Sequence, residues 1–179
     1  MKRKPVELKP KFGASDLPGL VARFGAEQDD KALEAGRKIA GGDYGRDNFT
    51  TIVLWKTYGQ GSFRLKDNED DEISDALHLA VNAKTERSAI AVLCGLNGVG
   101  VPVASAVLTM INPERYTVID FRALEALGTD TDDRTIDFYL IYLKACRNWA
   151  SEFKSSLRDL DRALWQWSKD KADEANRQD

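Results

Sequence analysis

Cysteine, histidine and surplus positive charge are all scarce in this chain. Two cysteines, Cys94 and Cys146, stand among 179 residues, each inside an apolar run. Buried core thiols are expected from that context, not a disulfide. A cysteine-held iron–sulfur cluster needs four ligands, so two thiols exclude one. The single histidine, His78, has no metal-ligand partner at a suitable spacing and no nucleophile elbow beside it. That argues against a zinc site and a histidine-based triad. No P-loop or dinucleotide fingerprint occurs. No apolar stretch reaches the length of a membrane span, and no signal-peptide apolar region is found. The expected setting is a reducing cytoplasm, without a membrane partner. Lys and Arg total 26 against 29 Asp and Glu, a net charge of −3. Global attraction to a polyanion is thereby excluded, and any nucleic-acid contact must rest on a local patch.

What is present suits a helical protein. A hydrophobic fraction of 42% in 179 residues is enough for one buried core, as a single domain or a compact two-lobed one. Residues 1–12 hold Lys2, Arg3, Lys4, Lys9 and Lys11 against Glu7, with two prolines. They read as an extended basic arm, either a solvated terminus or a phosphate contact. Ser15 or Asp16 can cap a helix over 18–24. A second helix is expected over 26–40, stopped by Gly41-Gly42. In 48–59, Phe49, Ile52, Val53 and Leu54 have helical spacing behind a cap at Asp47, with a strand as the alternative. Residues 58–68 read as a loop. Further helices are expected from 69 or 71 to 82, over 86–95 behind Thr85, over 101–111, and from 119 or 120 to 127. A long one follows over 133–153, capped by Thr131 or Asp132, then a last one from 155 or 156. Residues 169–179 read as a polar, frayed tail around a domain of 13–168. About eight to ten helices with short connections make the class all-α.

The sharpest chemical pattern lies in 96–120. Leu96-Asn97-Gly98-Val99-Gly100 sits between two apolar helical runs. The glycines permit a tight turn and leave backbone N–H groups uncovered at a helix start, where anions bind. Asp120 closes the apolar run Val118-Ile119, twenty residues after Gly100.

This pattern resembles the hairpin of the helix-hairpin-helix superfamily of base-excision DNA glycosylases (endonuclease III-like). The match covers about 93–127. The resemblance implies an all-α fold with a cleft that can lie between two lobes, and double-stranded DNA as partner. It implies phosphate contacts from Leu96, Asn97, Gly98, Val99, Gly100 and Val101, with Arg122 nearby. It implies Asp120 as the catalytic carboxylate. It also implies a monovalent cation held by the backbone carbonyls of Cys94, Leu96 and Val99, and no other cofactor. Two departures matter. Members that also cut the backbone carry a lysine two residues after the second hairpin glycine, where this chain has Pro102, so lyase chemistry by that route is not expected. After the aspartate this chain reads Phe121-Arg122-Ala123, where the family has a polar residue, then His and Val or Ile.

Each candidate has a plainer role. Asp120 before Phe-Arg-Ala-Leu-Glu is a good helix cap. The hairpin can be a mere helix–helix turn. Arg115 and Arg122 flank Asp120 in sequence and can form surface ion pairs. Trp55 and Lys56 are base-pocket candidates, by stacking and by charge, although Trp55 suits a core position too. Three functions are open: a monofunctional glycosylase, a catalytically silent DNA-binding relative, and a helical protein-interaction module.

Overall fold

The computed structural model describes residues 7–60 and 62–177. The helices are α1 (Leu17–Phe24), α2 (Asp30–Ala40), α3 (Arg46–Lys56), α4 (Asp70–Asn82), α5 (Glu86–Cys94), α6 (Val101–Ile111), α7 (Phe121–Ala126), α8 (Ile136–Glu152) and α9 (Leu157–Asn176). Turns of 3-10 helix cover Ala26–Asp29 and Ser62–Asp67. No strand occurs among the described residues. None of their helices is long and apolar enough to cross a membrane.

Local chemistry sets most boundaries. The Thr85, Thr135 and Ser156 hydroxyls each accept the N–H three residues on, fixing the starts of α5, α8 and α9. The strand alternative for 48–59 gives way to α3, because Phe49, Ile52 and Val53 are buried at helical spacing. Its cap is Gly45; Asp47 lies in the first turn. The long helix begins at Ile136, later than expected. Thr131 and Asp133 instead fold the preceding residues into local turns, their side-chain oxygens accepting from Asp133 N and Thr135 N. The loop expected over 58–68 contains the second 3-10 turn.

Both termini depart from expectation. Leu8 and Phe12 are buried, Lys9 N and Lys11 N donate to Leu127 O and Ala126 O, and Trp149 Nε1 donates to Leu8 O. The arm expected over 1–12 is therefore a packed strap from Leu8 onward; residues 1–6, with Lys2, Arg3 and Lys4, lie outside the described residues. Of the tail expected to fray over 169–179, the part to Asn176 is the end of α9, and residues 178–179 lie outside the described residues. Asp170 ties the helix to Arg23 of α1 at 2.9 Å.

Helix α6 is the hub of the first group of helices. Val101, Ala104 to Met110 and the residues facing them are almost wholly enclosed, as an apolar helix surrounded by others must be. Helices α2, α3 and α5 pack on it, and α4 on α5. Helices α1, α7 and α8 pack instead on α9, with α5 against α8 as a bridge. Cys146 is buried and Cys94 half-buried, both as free thiols.

Candidate functional site

The site is built on the extended segment 116–120. Tyr116, Thr117, Val118 and Ile119 are buried, so their backbone polar groups need partners. Three elements supply them. Tyr139 and Tyr142 of α8 donate to Thr117 O (3.1 Å) and Val118 O (2.6 Å). Ser105 of α6 accepts Ile119 N at 3.1 Å, and Asp161 of α9 accepts Val118 N at 3.4 Å. The segment thus ends at a fixed point, Asp120.

Asp120 has two roles, one per carboxylate oxygen. Oδ1 accepts Ala123 N at 2.9 Å and caps α7. Oδ2 meets Lys56 Nζ, at the end of α3, at 2.9 Å. The Asp120 and Lys56 side chains are 18% and 14% exposed, so the pair is mostly enclosed yet still reached by solvent. The amine beside the carboxylate therefore comes from α3, not from the α6 position held by Pro102.

Asp120 and Lys56 line a cavity of about 60 Å³ where α1, α3 and α9 converge. Phe24, Trp55, Tyr58 and Trp165 give it aromatic walls. Its floor is a buried ion network. Asp29, with no exposed surface, accepts from Arg158 Nε (3.1 Å) and Arg162 Nε (2.9 Å), and Arg158 also pairs with Asp161. The Arg158 guanidinium lies 5.9 Å from the Phe24 ring and 5.5 Å from that of Trp55. Burial pushes the Asp161 carboxyl up to about 6, against the pull of Arg158 and with a further push from Asp120.

The hairpin lies at the start of α6, one turn before Ser105. Gly98 turns at φ 77°, where a side chain would be strained. Leu96 and Val99 are buried, so only their backbone is available to a ligand. Asn68, itself buried, clamps the turn: its Oδ1 accepts Asn97 N at 2.7 Å and its Nδ2 donates to Asn97 O at 2.9 Å. Arg46 in turn holds Asn68 O and Leu65 O. Asn97 N is thereby occupied. The N–H groups of Gly98, Gly100 and Val101 have no partner among the described residues. Gly100 is extended, and a Cβ there would meet only Pro102 Cδ, at 3.7 Å. The fold itself has no need of glycine at that position. The carbonyls of Cys94 and Val99 accept no hydrogen bond among the described residues, and Leu96 O accepts one, from Val99 N.

The remaining candidates separate. Trp55 is in the cavity wall and also packs on the core. Arg122 backs that wall from behind, 5.3 Å from the Trp165 ring, with Nη1 3.3 Å from Ser168 Oγ. Arg115 does not join Asp120; it bonds Glu86 and Lys84 O. His78 is exposed, beside the Tyr44 ring. No group of His, Cys, Asp or Glu that could hold a metal occurs among the described residues. Sequence reading missed Phe24, Tyr58 and the α9 residues Arg158, Asp161, Arg162 and Trp165. The last four follow helical spacing, a stripe beside the apolar Leu157, Leu160 and Leu164, and that spacing was the available signal.

The molecule is thus an all-α protein with a carboxylate–ammonium pair in an aromatic-walled cavity. Compared with protein-family models, curated proteins and solved structures, the chain matches none.

Proposed function

We propose that this chain is a helix-hairpin-helix DNA-binding protein that cleaves a base from its sugar without cutting the backbone. The observation that carries this reading is the Asp120 carboxylate, fixed by α7 and lining an aromatic-walled cavity that solvent reaches. Breaking an N-glycosidic bond builds positive charge on the sugar, and a fixed anion in a shielded site favours that charge. Lys56 balances the carboxylate until the substrate displaces it. Aromatic walls accept the face of an extruded base. The hairpin N–H groups of Gly98, Gly100 and Val101 take a phosphate. By the resemblance, the neighbouring carbonyls of Cys94, Leu96 and Val99 would hold a monovalent cation, which would add positive charge beside that phosphate.

The test uses duplexes that each carry one damaged or mismatched base. Strand scission is expected only after hot alkali, which reveals abasic sites. Scission before alkali would assign a lyase instead, and none under either condition contradicts the reading. The hairpin carries its own prediction. Duplex binding, followed by fluorescence anisotropy, should weaken steeply with salt, because phosphate contacts release counterions. Gly98→Asp with Gly100→Asp should abolish it by placing two carboxylates where phosphate sits. Unchanged binding by a folded double variant removes the hairpin from the interface.

A second reading has one observation in its favour. Asp67, Glu69, Asp70, Asp71 and Glu72 form an acidic run, and Asn97 Nδ2 of the hairpin bonds Asp67 O. Such a run repels phosphate and suits a basic protein surface. Under that reading the double variant still folds, and no duplex binds the wild type.

A further inference from the structure

Tyr58 occupies a place that disfavours it twice. The turn that ends α3 is closed by Gly59 N donating to Leu54 O at 2.9 Å. Such a closure puts the residue before that glycine in the left-handed region, a position usually filled by glycine itself. Here it is Tyr58, at φ 52°, followed by Gly59 at φ 81°. A side chain at that φ is strained. The ring is also 74% exposed, although most large apolar groups in this chain are buried. Neither feature helps the fold, since Gly at 58 would close the same turn. Yet Tyr58 lines the cavity, two residues from Lys56 and facing a space whose other walls are Phe24, Trp55 and Trp165.

The cavity's size defines what the ring can do. A volume of about 60 Å³ holds a few water molecules, far less than an ordinary ligand site. A nucleobase cannot be enclosed there. It must sit at the mouth, where one face meets the inner walls and the other needs a cover. Among the exposed aromatics, Phe121 is the rival. It lies beside its own Arg122 guanidinium, at 5.0 Å, and lines the separate groove with Lys11 and Arg134. Tyr58 is the exposed ring that belongs to the cavity.

We propose that Tyr58 is the outer stacking wall for a nucleobase turned out of the duplex toward Asp120; this rests on the DNA reading above. Stacking on an aromatic face is tolerant of base identity, so Tyr58 contributes capture, and selectivity for bases that leave the helix easily.

The experiment compares two short duplexes, one fully paired and one with a single mismatch, by anisotropy, with thermal melts of each protein. The wild type should prefer the mismatched duplex. Tyr58→Gly should lose that preference by about tenfold or more, keep its affinity for the paired duplex, and melt no lower than the wild type. Tyr58→Phe should keep the preference. A preference unchanged in Tyr58→Gly overturns the inference and leaves the hairpin reading intact. So does a Tyr58→Gly protein that melts lower, since the ring is then structural. So does a wild type that binds both duplexes equally. A wild type that binds neither removes the DNA reading, and the inference with it.

Discussion

Asp120→Asn should slow base release by roughly a hundredfold or more, while the protein stays folded and binds DNA as well as before or better. The expected size follows from the charge. Asparagine keeps the shape and the acceptor that caps α7 at Ala123 N, and Asn caps as well as Asp. What it loses is the anion. In a shielded site that charge contributes a few kcal/mol to a cationic transition state, hence about a hundredfold in rate. Lys56 loses its ion partner at the same time. The pair is mostly, not wholly, enclosed, so the loss in stability should be about 1 kcal/mol, well short of the cost in a dry interior. For a chain of this length that lowers the melting temperature by about 2–4 °C. DNA affinity holds or rises because a negative group near phosphate has gone. If Asp120 were a cap only, Asn would reproduce it and no activity would change.

The second large effect concerns the frame that carries both parts of the site. A Cβ on Gly36 of α2 would stand 2.0 Å from Met110 O and 2.2 Å from Met110 C, the backbone of α6. No rotamer relieves a clash with backbone, so the two helices must part. Overpacking of this kind costs about 1–3 kcal/mol, and backbone contact puts Gly36→Ala at or above the upper end. A melt followed by circular dichroism should fall by about 6 °C or more. Gly100→Ala is the control, since its Cβ meets only Pro102 Cδ at 3.7 Å and the melt should hold. The consequence reaches the site. Helix α6 bears the hairpin at its start and, through Ser105, holds Ile119 next to Asp120. Displacing α6 should therefore weaken DNA binding too. A Gly36→Ala protein that melts like the wild type would mean that α2 and α6 do not cross this closely.

The helices were legible where local chemistry decides them. Thr85, Ser156 and the apolar spacing of 101–111 each point to an element that is there, because caps and periodicity act within a few residues. Asp120 was legible as a cap for the same reason, and Gly98 as a turn. The long α8 was misjudged at its start because Thr131 and Asp132 read as good caps, whereas Thr131 and Asp133 fold into local turns and Thr135 caps the helix. The strap from Leu8 and the full length of α9 were hidden for another reason. Their partners, Leu127 and Trp149 for one and Arg23 for the other, lie over a hundred residues away, and no local pattern carries that information. The cavity shares this origin. Lys56 meets Asp120 across 64 residues, and Asp29 meets Arg158 across 129. Trp55 and Lys56 could be suspected singly, but the joining of α3 to α9 around Asp120 is a product of packing. Arg115 shows the converse, close to Asp120 in sequence and bound elsewhere.

In the proposed reaction the Asp120 carboxylate acts on a sugar at the cavity mouth. A single-turnover assay addresses it most directly. Wild type and Asp120→Asn, in excess over duplexes bearing one damaged or mismatched base, are followed for abasic-site formation, with melts and duplex affinities measured on the same preparations. The wild type should release the base, Asp120→Asn should lose about a hundredfold or more in rate, and affinities should match or favour the variant. Release that continues undiminished in Asp120→Asn would contradict that role for the carboxylate.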